Sequence, residues 1–261
     1  GFWSDEATYH SMAWSLALDG DIRYEQQDLE RVYAAGYAGG PSGLFLVRNP
    51  DGGLYFAKSF AYPLFAAPFV RAFGDNGFFV LHALLLGAML GCGYRYARRW
   101  QPEGAAALVA TTWVLGSAAT VYLFWMTPEW FNLAVVFVAT FLWVHKEPGL
   151  GRPERQSGWL AGAWTDSAAA ALYGVAIFSK PPNALLVLPF FLWLLARRRL
   201  LRAVGTAALC AAVVVGMFGL TWAAIGHWNY QGGDRWQFNV LSGYPHQFGD
   251  RPIEQFGIPM T

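Results

Sequence analysis

Long apolar runs broken by short charged segments dominate this sequence. Continuous apolar stretches occupy 77–96, 105–126, 129–144, 159–178, 182–196 and 203–225. A membrane-spanning helix needs roughly 20 predominantly apolar residues. The pattern therefore predicts an all-α integral membrane protein with about six transmembrane helices. Ahead of them, 58–73 is apolar but short, and it holds Pro63 and Pro68. That segment is expected to be an interfacial or partly inserted helix. At the very start, Ser4 reads as an N-cap, and Asp5 and Glu6 favour the helix dipole of the first turn. Tyr9, Met12, Ala13 and Leu16 then recur at helical spacing, which predicts an amphipathic helix at the membrane surface. The expected organisation is an external loop over 1–76, a helical bundle over 77–225, and a second external loop over 226–261.

Composition sharpens the membrane reading. The chain is 55% hydrophobic and only 13% charged, against about 25% charged for soluble domains. Its thirteen Trp and twelve Tyr suit two membrane–water interfaces, where amphipathic rings concentrate. A net charge of +1 gives no reason to expect a nucleic-acid partner. Cys92 and Cys210 both lie within apolar runs, and neither a disulfide nor a metal site is expected from them.

Charge then orients the spans. Arg95, Arg98, Arg99, Lys146, Arg152, Arg155, Arg197, Arg198, Arg199 and Arg202 fall on one side, against Glu103, Glu147 and Glu154. That side is expected to be cytoplasmic. Asp5, Glu6, Lys58, Glu129, Lys180 and the tail from 226 onward then share the external face. The 147–158 loop reads as an ordinary cytoplasmic linker. Asp166 lies inside a predicted span, where an ionisable group is a functional candidate by default. His82 reads as a hydrogen-bonded core histidine; His10, His227 and His246 show no metal-ligand spacing.

Each external group also has a plain structural reading. Asp5, Glu6 and Glu129 sit at helix starts, with Thr127 and Pro128 as the expected N-cap and N1 before Glu129. Lys58 and Lys180 sit at the ends of apolar segments, where lysine snorkels to the interface. The functional reading makes Asp5, with Glu6 next, a general base. Lys58 and then Lys180 would hold a phosphate as point charges. Glu129, Tyr62, Tyr9 and Arg235 would line the same substrate cavity. The aromatic and amide-rich tail suits sugar stacking.

Several strings together resemble a known family. The first is Asp5-Glu6-Ala7-x-Tyr9-His10-x-Met12-Ala13-x-Ser15-Leu16-Ala17-x-Asp19-Gly20-Asp21. It looks like the first external loop of bacterial GT-C glycosyltransferases, relatives of the protein O-mannosyltransferases and of the lipid A aminoarabinose transferase. Lys58-Ser59-x-x-Tyr62-Pro63-Leu64 is similar to the family's lysine-bearing, phosphate-binding stretch. Thr127-Pro128-Glu129 and Ser179-Lys180-Pro181-Pro182 resemble its external turns. The resemblance runs through the whole chain in order. It implies an inverting transfer of a sugar from a polyprenyl-phosphate donor to a lipid, glycan or protein acceptor. The reaction would take place on the periplasmic face of the bacterial inner membrane. It also implies that a span precedes the first residue and that more chain follows the last.

The aminoarabinose transferase has a zinc-site glutamate just before its phosphate-binding lysine; here that residue is Ala57. No cofactor is implied, and a divalent metal stays open. A lipid-linked sugar flippase or binding protein, and a glycan polymerase or ligase, are the alternative readings.

Overall fold

The computed structural model describes residues 4–37, 40–147, 158–230, 235–238 and 258–259. Residues 148–157 of the predicted 147–158 linker, His246 and most of the tail lie outside these residues. The described chain is mostly helical and divides into two compact units. One comprises 1–81, 125–127 and 218–261; the other comprises 82–124 and 128–217.

The first unit is built on α1 (Ser4–Leu18), α2 (Gln26–Ala34) and α3 (Ala61–Phe73). It also contains β1 (Leu44–Arg48), β2 (Leu54–Phe56), β3 (Arg235–Phe238) and β4 (Ile258–Pro259). The four strands form one antiparallel sheet in the order β2-β1-β3-β4. Leu46 lies between Phe56 on one side and Trp236 on the other.

The pattern reading did not include this sheet. β1, Leu-Phe-Leu-Val-Arg, is buried on both faces and so lacks the alternation that marks a half-exposed strand. The hairpin signal was nevertheless present in Asn49-Pro50-Asp51-Gly52-Gly53, set between two β-rich runs. Asn49 Oδ1 accepts the Gly53 N–H at 2.7 Å and closes the turn.

α1 is also not the surface helix that was expected. Nine of its residues are buried, including Thr8, His10, Ser11 and Ser15 from the supposedly polar side. Its small residues let α3, β1 and α2 pack around it, and it is the central rod of the first unit. Ser4 opens the helix with a φ of 51°, and its N–H donates to Ser42 O at 2.5 Å. That close approach requires glycine at Gly43, which has a φ of +77° and where a Cβ would come within 2.8 Å of Ser4 Cα.

α3 turns Tyr62, Ala66 and Val70 into the core and leaves Leu64, Phe65 and Phe73 exposed. Pro63 falls in its first turn, where proline is tolerated.

The second unit contains α5 (Glu103–Leu115), α6 (Pro128–Val144), α7 (Trp164–Ser179) and α8 (Ala184–Ala196). It also contains most of α4 (Asn76–Ala97) and of α9 (Leu200–Ile225). Its core joins Phe141, Trp143, Tyr173, Phe190 and Leu194, with α6 packed along α7. Trp130 is fully buried, and its Nε1–H donates to His82 O at 3.2 Å. His82 Nδ1 lies 2.7 Å from Leu123 O, as expected of a hydrogen-bonded core histidine.

Among the described residues, two helices, α4 and α9, are long and apolar enough to cross a membrane. Only 28% of the apolar window of α4 and 22% of that of α9 is buried. Three shorter apolar helices accompany them. Six full spans are therefore not what the helices show.

The predicted 105–126 span stops at Leu115. Beyond it Ser117 Oγ donates to Val114 O and Thr120 Oγ1 to Ser117 O, and a tighter 3₁₀ helix follows over Ala118–Phe124. The predicted 159–178 span begins with a short turn, Trp159–Ala161, and becomes α-helical only at Trp164. α6 starts at Pro128 as predicted, but the buried Thr127 Oγ1 makes no hydrogen bond among the described residues and so is not a cap.

Asp166, expected within a span, lies in the first turn of α7 and is ion-paired. Arg202 grips it through Nε and Nη2, both at 2.7 Å, and Lys146 Nζ reaches it at 2.9 Å. The buried Glu147 beside it takes Arg202 at 2.5 Å, Arg199 at 3.0 Å and the Trp193 indole N–H at 3.2 Å. A clamp at the arginine-rich end of the unit explains this acid without any function.

Candidate functional site

In the first unit, three of the proposed site residues, Asp5, Lys58 and Arg235, come together beside one ring, Phe45 of β1. Lys58 Nζ sits 4.4 Å from the ring centroid, and the Arg235 guanidinium 4.6 Å from it. Both are cation–π distances. Asp5 Oδ1 contacts Lys58 Nζ at 2.7 Å. Tyr9 stands one helical turn after Asp5, and its ring meets Tyr62 of α3 edge-on at 5.9 Å.

Local sequence explains the gathering. Thr8 Oγ1 accepts the Phe45 N–H at 3.0 Å and ties α1 to β1. The Ala57 N–H donates to Phe45 O at 2.9 Å, which carries the chain past β2 and sets Lys58 over the ring. β3 pairs with β1 so that Arg235 is the partner of Val47.

Among the described residues, two cations therefore face one carboxylate, which is part-exposed beside the Phe45 ring. Burial pulls the Arg235 pKa below its ordinary value, opposed by the charges of Asp5 and Tyr9. Arg235 Nε is buried and has no hydrogen-bond partner among the described residues. An unpaired guanidinium N–H and an excess of positive charge make a site that is suited to an anion.

Glu6 takes a different part. Its Oε1 accepts the Met126 N–H at 3.1 Å, and Met126 packs on Ala7 and Val32. It fastens 125–127 to the first unit.

Glu129 and Lys180 belong to the second unit and contact each other directly. Around them Asn132 Nδ2 donates to Ser179 Oγ at 2.9 Å and to Pro128 O at 2.7 Å. Asn183 Nδ2 donates to Asn132 Oδ1 at 3.1 Å and to Ala176 O at 2.8 Å. The sequence reading named the charged pair but missed these two asparagines. The signal at Asn183 was an amide directly after Pro181-Pro182, and at Asn132 an amide inside an apolar helix.

Phe45 was likewise unnoticed, because an apolar residue within an apolar strand carries no mark of its own. Among the described residues no group of three or more His, Cys, Asp or Glu side chains is placed to share a metal ion. Cys92 and Cys210 are free thiols. No protein-family model, curated protein or solved structure matches the chain.

Proposed function

We propose that the chain is a membrane-embedded glycosyltransferase that takes a sugar from a polyprenyl-phosphate donor and inverts the anomeric centre. The observation that carries this reading is the cluster of Asp5, Lys58 and Arg235 around Phe45, one carboxylate against two cations.

Membrane insertion is supported by the apolar surface of the helices. Leu185, Leu188 and Leu192 of α8 and Leu201 and Val204 of α9 are all exposed. An apolar surface of that extent needs lipid or a partner to cover it. The stacked indole pairs Trp159–Trp164 and Trp222–Trp228 suit the two water interfaces. The arginine-rich segments favour a cytoplasmic placement and leave Asp5 and Lys58 to the periplasmic face of the inner membrane.

In the proposed reaction the acceptor oxygen forms a bond to the anomeric carbon. The bond from that carbon to the phosphate oxygen breaks, and its electron pair stays on the phosphate. Asp5 takes the acceptor's proton. Lys58 and Arg235 neutralise the charge that grows on the leaving phosphate. The arriving phosphate also competes for Lys58 and frees Asp5 from its ion pair. Donor binding would thus create the base. The acceptor is a lipid, glycan or protein hydroxyl, and Tyr9 and Tyr62 would border the sugar.

One observation favours a second reading, a protein that binds or flips the same lipid without chemistry. Lys58 Nζ contacts Asp5 Oδ1 at 2.7 Å, an ion pair that occupies the carboxylate the chemistry would need as a base.

Turnover of a labelled polyprenyl-phosphate sugar in lipid nanodiscs separates the two. The transferase reading expects turnover that Asp5→Asn abolishes while donor binding survives. Undiminished turnover in Asp5→Asn would remove the base assignment. Donor binding without turnover by the unaltered chain would favour the second reading.

A further inference from the structure

A cavity of about 260 Å³ opens on the other side of α1. Its walls include His10, Ser11 and Trp14 of α1, Asp28 and Arg31 of α2, and Asp75 before α4. At 3.6 residues per turn, Trp14 projects from the side of α1 opposite to Asp5. The pocket is thus separate from the cluster around Phe45.

Its polar groups are held in place. Asp75 Oδ1 accepts the Trp14 indole N–H at 2.9 Å and lies 2.7 Å from His10 Nε2. His10 also stacks on Phe78 at 5.5 Å. Arg31 grips Asp19 through Nη1 and Nη2, at 2.5 and 2.7 Å, and reaches Asp28 Oδ1 at 3.1 Å. Ser11 Oγ is buried and makes no hydrogen bond among the described residues. A hydroxyl left unpaired inside a fold costs stability, and a helix position such as this would be better served by alanine.

We propose that this cavity binds a single neutral pyranose ring. Its hydroxyls would bond to Ser11 Oγ, the Asp75 carboxylate and the Arg31 guanidinium, and its apolar face would lie against the Trp14 indole and Val32.

Four features select that ligand. The volume is below the usual range of about 300–1,000 Å³ for ligand pockets, which suits one ring and not a lipid chain. The charged wall groups already have partners, Arg31 on Asp28 and Asp75 on His10 and Trp14, so a charged ligand gains little from them. Donors and acceptors lie side by side, as vicinal hydroxyls require. The Trp14 N–H is anchored on Asp75, which fixes the indole plane as a wall. None of these features depends on the transferase reading.

The test is saturation-transfer NMR and calorimetry on the detergent-solubilised full chain. The probes are neutral methyl hexopyranosides, glucosamine and inorganic phosphate. Saturable millimolar binding of at least one neutral pyranoside is expected. One neutral hydrogen bond is worth about a three- to tenfold change in affinity. Ser11→Ala should therefore weaken binding by that factor without lowering Tm, a combination that a structural role for the hydroxyl would not give. Trp14→Leu should abolish binding, and Lys58→Met should leave it unchanged. Binding of phosphate or glucosamine alone would overturn the proposal, as would the absence of any pyranoside binding. Equal affinity in the unaltered chain and in Ser11→Ala would overturn it too. Loss of binding in Lys58→Met would place the sugar in the cluster around Phe45 and refute a separate site.

Discussion

Replacing Arg202 with methionine should test how the arginine-rich end of the second unit is held together. Arg202 makes two contacts to Asp166 at 2.7 Å and one to the buried Glu147 at 2.5 Å. Methionine keeps the aliphatic stem and removes the fork. Breaking a buried ion pair so that one charge is left alone costs about 3–5 kcal/mol. Here neither acid is left alone, because Lys146 still reaches Asp166 and Arg199 still reaches Glu147. A loss of about 2–3 kcal/mol follows, below that range. For a unit of this size each kcal/mol shifts Tm by roughly 2–4 °C, so a drop of several degrees is expected. Thermal unfolding in lipid nanodiscs at a fixed scan rate measures it, with Arg198→Met as the comparison. Removing Asp166 as well, in Arg202→Met/Asp166→Leu, should recover part of the loss. Equal and negligible shifts for Arg202→Met and Arg198→Met would refute the clamp and reduce it to screened surface pairs. An Arg202→Met variant of unchanged Tm but lost activity would return Asp166 to a functional role.

Burial pushes the Asp28 carboxyl up from 3.8 to about 7, so the folded chain holds a proton there that the unfolded chain releases. Its contribution is fully present below pH 4 and is lost as pH rises towards 7, by about 4 kcal/mol at 1.36 kcal/mol per unit. Asp28→Asn keeps an acceptor for the Glu25 N–H and should flatten that slope in denaturant unfolding at pH 4.5 and 7.5; an unchanged slope would count against a buried, protonated Asp28. Gly77→Ala should disrupt the first unit, because a Cβ would meet the backbone of Phe69 and Val70 at 2.3–2.4 Å. Reduced expression, or a Tm lower by more than that of Gly87→Ala, where nothing lies near, checks it.

The long apolar helices were legible in the sequence. The predicted 77–96, 129–144 and 203–225 segments correspond to α4, α6 and α9 within a few residues at each end. Apolar content alone could not tell a helix from a tighter turn, which is why 105–126 broke after Leu115. It also could not find β1, whose two faces are both buried and whose partner β3 lies almost 190 residues later. Asp5, Lys58 and Arg235 were legible as chemistry. Their meeting place was not, because Phe45 and the β1–β3 pairing that assemble it leave no local trace. The pocket beside Ser11 stayed hidden for a similar reason, since Asp75 meets His10 across 65 positions of sequence.

The central claim is that Lys58 and Arg235 hold a phosphate and thereby release Asp5. The direct measurement is native mass spectrometry of the chain with a short polyprenyl phosphate and with the corresponding polyprenol. The unaltered chain should prefer the phosphate. A charge-assisted contact is worth about 1.5–3 kcal/mol, so Lys58→Met should lose that preference by about tenfold or more. Asp5→Asn should bind the phosphate at least as tightly as the unaltered chain, because the competing carboxylate is gone. An unaltered preference in Lys58→Met, or an equal loss in Asp5→Asn, would contradict the account.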